Sequence, residues 1–238
     1  MRIPTILLAL MVTLLATPMT SAQAPAAMQA SGALMQLSVD ELTPDQVMVT
    51  GMIRTTYPPG ASVQLTTGSG PSLHYVESGA ITVLTGDGAP PTVVRAVTAE
   101  GIASPEAASS GGEVVVAAGD GFLLAAGITA EFRNDGADPA AVLDLVAAPD
   151  AVGNLGEGVT EAILVSQEAT LPQPPVTVTL TLETIEPGGS VTFADDPALT
   201  FFAPVDRTQS FSLSAQGANR FADPVDVYLL VIAPAAPG

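Results

Sequence analysis

From Leu34 onward the chain is written in short apolar runs broken by Gly, Pro, Asp or Asn. Val47-Met48-Val49, Ala80 to Leu84, Val114-Val115-Val116, Phe122-Leu123-Leu124 and Val142 to Val146 are too short for helices and rich in β-branched or aromatic residues, so they predict strands. Val176 to Leu182 alternates strictly between apolar residues and Thr, the period-2 pattern of a strand with one buried face. Many short strands with frequent turn signals predict an all-β protein, a sandwich or a barrel.

The pattern also repeats. Pro59-Gly60-Ala61-Ser62-Val63 follows one strand, and Pro187-Gly188-Gly189-Ser190-Val191 follows another. Farther on, Asn134, Asp138, Pro139 and Pro149 keep the spacing of Asn219, Asp223, Pro224 and Pro234, with an apolar strand between the prolines in both copies. Two landmarks in the same order predict a duplicated β unit whose second copy is abbreviated. Leu171-Pro172-Gln173-Pro174-Pro175 lies between the copies and reads as a linker.

The glycines carry a family resemblance. The first cupin motif runs Gly, five residues, His, one residue, His, three or four residues, Glu, six residues, Gly, and Gly60, Thr66, Gly68, Ser72 and Gly79 stand at that spacing. The second motif ends in His, three residues, Asn, and is matched by Gly119, Ala125, Gly127, Ala130 and Asn134, with Asp120 after Gly119. Over roughly Val47 to Pro149 the chain resembles a cupin. The resemblance implies a cupin-like antiparallel β-barrel or jelly roll over residues 34–150, connecting strands over 151–175 and a shortened second cupin-like unit over 176–238.

The chain departs from the family where a cupin holds its metal. The ligand positions carry Thr66, Gly68, Ser72 and Ala130, which lack the imidazole and carboxylate donors that a first-row metal needs. The expectation is therefore no metal and no cofactor. The retained glycines are expected at tight turns with positive φ, and Asn134 as a turn residue bonding nearby backbone. Alternation from the motif positions makes Gln64, Thr66, Ser72, His74, Val76, Leu124, Ala130 and Phe132 the expected lining of the barrel interior.

Residues 1–22 change the picture of where the protein works. Arg2, the apolar run Ile6 to Ala16 and the small residues around Ala22 predict a secretory signal cleaved after Ala22, with residues 23–33 as a flexible lead-in. The mature protein is then expected outside the cytoplasm. It has no cysteine, so packing and backbone ladders must hold it without disulfides. Twenty-four acidic residues face six arginines and no lysine, a net charge of −18 that disfavours nucleic acid and anionic membrane surfaces.

Little else offers chemistry. His74 is the one histidine, and its plain reading is a packed or hydrogen-bonded side chain. A Ser-His-Asp triad would have to use it, yet no G-x-S-x-G turn occurs. Asp195-Asp196 and Asp135 with Asp138 do not follow a calcium-loop pattern, and the absence of tryptophan removes the usual sugar platform. The sequence thus points to an exported, metal-free, non-catalytic module that binds a small molecule or a protein partner, a homodimer included. The alternative is a structural envelope or interaction protein with a filled barrel. A cupin-like enzyme using His74 with Glu77 or Glu131 is disfavoured, because both glutamates alternate away from the interior face.

Overall fold

The computed structural model describes residues 32–40, 47–86, 89–98, 101, 104–108, 112–191, 198–206, 218–220 and 222–235. The expected signal (1–22), most of the lead-in (23–33) and Asp195-Asp196 lie outside these residues. Every element among the described residues is a strand: β1 (Gly32–Val39), β2 (Val47–Tyr57), β3 (Ser62–Thr66), β4 (Ser72–Ser78), β5 (Ala80–Thr85), β6 (Thr92–Val94), β7 (Glu106–Ala107), β8 (Glu113–Ala117), β9 (Gly121–Leu124), β10 (Thr129–Arg133), β11 (Ala140–Ala147), β12 (Val152–Asn154), β13 (Thr160–Thr170), β14 (Val176–Ile185), β15 (Leu199–Pro204) and β16 (Val225–Pro234). The all-β expectation holds, and each run named above falls within a strand.

The strands form three antiparallel sheets. A seven-stranded sheet has the order β13-β2-β11-β4-β9-β6-β7, a five-stranded sheet β12-β3-β10-β5-β8, and a four-stranded sheet β1-β14-β16-β15. One core lies between the first two and contains Tyr57, Val76, Phe122 and Val142 from one side and Val63, Ile81, Val83 and Phe132 from the other. A second core lies on the opposite face of the seven-stranded sheet. There Met48, Met52, Leu73 and Leu143 meet Met35, Val178, Leu180 and Leu230 of the four-stranded sheet. The middle sheet is thus covered on both sides, and Ser72 to Val76 of β4 is buried without interruption.

Strand pairing crosses the order of the sequence. β1 comes first in the chain but pairs with β14, while β13, which directly precedes β14, pairs along its length with β2. Each end of the chain therefore completes a sheet built mainly by the other. Gly121 gives β1 room to pack against the middle sheet, since a Cβ there would sit 2.0 Å from Met35 Sδ.

The duplicated landmarks form the same hydrogen-bonded corner twice. Gly60 N–H donates to Asn134 O at 2.8 Å and Asn134 N–H to Ala61 O at 2.9 Å. In the second copy Gly188 N–H donates to Asn219 O at 2.9 Å and Asn219 N–H to Gly189 O at 2.8 Å. The buried Asn134 amide donates to Tyr57 O and Asp138 O, and the Asn219 amide to Ile185 O and Asp223 O. Gly60 and Gly188 have φ of 77° and 76°, a region an L side chain rarely adopts.

One polar group pins the seven-stranded sheet to the four-stranded sheet. Arg54 of β2 donates through Nε and Nη2 to both oxygens of Glu77 on β4, each at 2.6 Å, and Nη2 also reaches Val205 O at 3.1 Å. Tyr228 of β16 donates its hydroxyl to Glu77 Oε1 at 2.6 Å, tying the four-stranded sheet to the same carboxylate. Burial, then the carboxylates of Glu77 and Asp120, push the Tyr75 phenol up to about 12. Tyr228 is pushed up by burial and then by Glu77, and Tyr57 by burial and then by Asp144 and Glu161.

Two outcomes follow from this packing. Asn134→Ala strands the buried Tyr57 carbonyl and removes the bond to Asp138 O, and is expected to cost about 1–3 kcal/mol, read as a lower urea midpoint, with Asn219→Ala behaving alike at Ile185 O and Asp223 O. The three tyrosines are the chain's only ones, and it has no tryptophan, so tyrosinate absorbance reports on these sites alone. Because the folded state holds its phenols above the ordinary value of about 10, their contribution to stability is complete below pH 10 and lost as pH rises through about 12. An alkaline titration should show tyrosinate appearing together with unfolding; ionisation at pH 10 with the β signal intact would contradict the burial.

Candidate functional site

The interior between the seven- and five-stranded sheets holds the chain's one imidazole. His74 on β4 is 2% exposed and stacks on Phe122 of β9, with ring centroids 4.6 Å apart and planes 20° apart. Phe132 of β10, in the facing sheet, meets the imidazole edge-on at 5.1 Å and Phe122 edge-on at 5.4 Å. These three rings bridge the core and, with Val76, Leu124 and Ala130, fill it.

A polar chain runs through the same place. His74 Nδ1 lies 2.7 Å from Asp144 Oδ1 on β11, and His74 Nε2 lies 2.6 Å from Ser72 Oγ. Thr55 on β2 donates its hydroxyl to Asp144 Oδ2 at 2.6 Å. A carboxylate only accepts, so Nδ1 carries the proton toward Asp144 and Nε2 accepts from the Ser72 hydroxyl. Beyond Thr55 the row reaches Glu161, its cross-strand partner on β13, whose carboxyl is pushed up by partial burial and then by Asp144.

The connectivity of Ser72, His74 and Asp144 is that of nucleophile, base and orienting acid. The sequence reading gave such a triad little support because no nucleophile turn is present, and it did not include Asp144. The signal was there: Asp144 is the one charge inside the apolar run Val142 to Val146. A β-bulge between Asp144 and Val146 lets the aspartate face His74 while Leu145 and Val146 join the opposite core. Connectivity is not access, however. Ser72 is 1% exposed, pairs directly with Leu124, and its hydroxyl is engaged by a buried ring stacked on Phe122, so the hydroxyl does not face solvent.

The expected lining is brought together only in part. Ser72, His74, Leu124, Ala130 and Phe132 converge on the interior. Gln64 and Thr66 do not: on β3 it is Val63 and Leu65 that turn inward, opposite Phe132 and Ala130, so their neighbours face out. Thr66 shares a 2.9 Å hydroxyl contact with Thr129 on that outer face. The apolar Val63 and Leu65 already specified this parity, and the motif spacing had overridden it. The inward threonine is Thr67, which donates to Ala125 O at 2.8 Å and accepts from Ile128 N–H at 3.0 Å.

The same geometry decides the metal question from the donors. Thr66 points away, Gly68 and Ala130 have no donor, and Ser72 is engaged with His74, so the residues present do not fit a transition-metal ion. Among the described residues no group of three or more His, Asp or Glu forms a ligand set. Glu77 lies on the opposite face with Arg54, and Glu131 accepts from Ser62 Oγ at 2.7 Å, so neither joins His74. Asp120 serves the backbone, accepting from Ala96 N–H, Ala117 N–H and Arg95 Nη1.

Comparison with protein-family models, curated proteins and solved structures yields no match.

His74→Ala should lower stability by about 3 kcal/mol, because it leaves a ring-sized hole and strands the Ser72 hydroxyl and one Asp144 oxygen. Ser72→Ala should cost about 1–3 kcal/mol by orphaning Nε2. A serine-directed phosphonate should leave Ser72 unlabelled; a stoichiometric adduct at Ser72 would establish a nucleophile.

Proposed function

We propose that this chain is an exported, non-catalytic, cupin-like protein whose first unit is a filled, metal-free jelly-roll scaffold that works through its outer surface as a structural or partner-binding module. The observation that supports this reading is the interlocked triplet of His74, Phe122 and Phe132, which packs the interior between the seven- and five-stranded sheets. The polar chain from Thr55 to Ser72 serves the scaffold: each member satisfies the next, and none is left to act on a ligand. The secretory pattern of residues 1–22 and the net charge of −18 support an extracytoplasmic place of work away from anionic surfaces.

A small-molecule reading keeps one specific footing, outside the barrel. A depression of about 430 Å³ on the five-stranded sheet is bordered by Gln64, Thr85, Thr129, Ala130 and Glu131, and that volume lies in the range of small-ligand sites. It is open, unlike the interior, and mixes polar with apolar lining.

Native mass spectrometry and elemental analysis of protein taken from its own source test the proposal together. The expected mass is that of the polypeptide alone, without stoichiometric metal. A co-purified molecule or metal lost on His74→Ala would overturn the filled-scaffold reading. A molecule lost on Gln64→Ala but kept on His74→Ala would move the function to the outer depression.

A further inference from the structure

β13 ends the seven-stranded sheet and, among the described residues, pairs only with β2, so no described strand hydrogen-bonds to the outer backbone edge of its eleven residues. At strand spacing that edge is about 36 Å long. Native sheets blunt such edges with Pro, Lys, inward charges or bulges, because unpaired N–H and C=O groups template another strand. β13 carries one bulge, between Ile163 and Val165, but no Pro, Lys or Arg, and Ile163 near its centre is 61% exposed.

The acids on this strand select the kind of partner. Glu161, Ile163, Ser166 and Glu168 stand opposite Thr55, Ile53, Gly51 and Val49 of β2 and share one face. The bulge between Ile163 and Val165 keeps them together despite the odd spacing. The face thus reads acid, apolar, small, acid, with no cation on the strand to answer either carboxylate. A second copy is a poor occupant: the antiparallel register that aligns the two bulges sets Ile163 against Ser166 and Glu161 directly against Glu168, and like charges opposite each other destabilise a ladder. Two bodies each carrying −18 repel as well.

We propose that the β13 edge docks an extended segment of another protein as an added antiparallel strand, with basic residues opposite Glu161 and Glu168 and β-branched residues opposite Ile163 and Ser166. Main-chain bonds along the edge supply affinity, and the acid-apolar-acid face supplies specificity. A cation beside Glu161 offsets the partial burial and, after it, the nearby Asp144 that push its carboxyl up. The proposal rests on the reading that the chain acts through its surface.

The test uses the intact protein and a capped heptapeptide, Arg-Thr-Val-Thr-Val-Thr-Arg, whose alternation matches the face. Fluorescence anisotropy is compared with a scrambled peptide of the same composition and with one in which both Arg are Glu. The ordered basic peptide should bind at least about tenfold more tightly than either control and shift backbone amide signals of β13. Ile163→Glu should weaken it about tenfold without moving the unfolding midpoint, since the side chain is exposed. Equal binding of ordered and scrambled peptides would reduce the effect to net charge and overturn the proposal, as would binding of neither. A dimer in sedimentation that Ile163→Glu dissolves would overturn it in favour of self-pairing. A metal or ligand found inside the barrel would defeat the filled-scaffold reading while leaving these peptide measurements intact, so the two failures are distinguishable.

Discussion

A sheet whose strands are apolar on both faces has no side it can leave to water, and the seven-stranded sheet is in that position. β4 and β11 bury side chains toward both neighbouring layers, so each face must be covered by another sheet. A fully buried Leu, Met or Val contributes roughly 1.5–3 kcal/mol relative to its exposed state, and each core holds many such residues. This constraint accounts for the second β unit. Its strands β14, β15 and β16, together with β1, form the cover for the outer face of the middle sheet, a task that asks for an apolar surface and not for a complete barrel.

Covering alone does not fix which strand pairs with which, and the polar groups supply that register. Glu77 accepts from both Arg54 of the middle sheet and Tyr228 of the cover, so a slip of either sheet would strand a carboxylate in a mostly apolar layer. The asparagine corners act within each unit. Asn134 joins the end of β2 to the turn before β11, and Asn219 joins the end of β14 to the turn before β16. The repetition of these bonds explains why the glycine, asparagine, aspartate and proline survive in both copies although the rest of the second copy is short.

Local alternation made the strands, the positive-φ glycines and the asparagine corners legible, because each is written in adjacent residues. Gly60, Gly79, Gly119 and Gly127 do adopt positive φ. The pairing of β1 with β14 and of β13 with β2 was not legible, since nothing within a single strand names a partner more than a hundred residues away. The site was half legible. Ser72 and His74 follow from alternation on one strand, whereas Asp144 and Thr55 reach His74 only through cross-strand register and a bulge. On β3 the pattern was clear, and the family spacing misled by one position at Gln64 and Thr66.

The row from Thr55 to Ser72 has the connectivity of a catalytic triad with its serine end closed to solvent. In an enzyme the serine end of such a chain opens on a cleft, and the energy of holding the base in one tautomer is released when substrate arrives. Here that end is buried opposite Leu124, and the imidazole behind it lies against Phe122 and Phe132. A buried imidazole with only one partner would weaken this core; with Asp144 and Ser72 both engaged it fixes the angle of the ring, and through the ring the positions of Phe122 and Phe132 in opposite sheets. The polar row and the aromatic triplet are one device: hydrogen bonds orient a plate, and the plate spaces the two sheets. That device occupies the interior, while Ile163 stands exposed on β13.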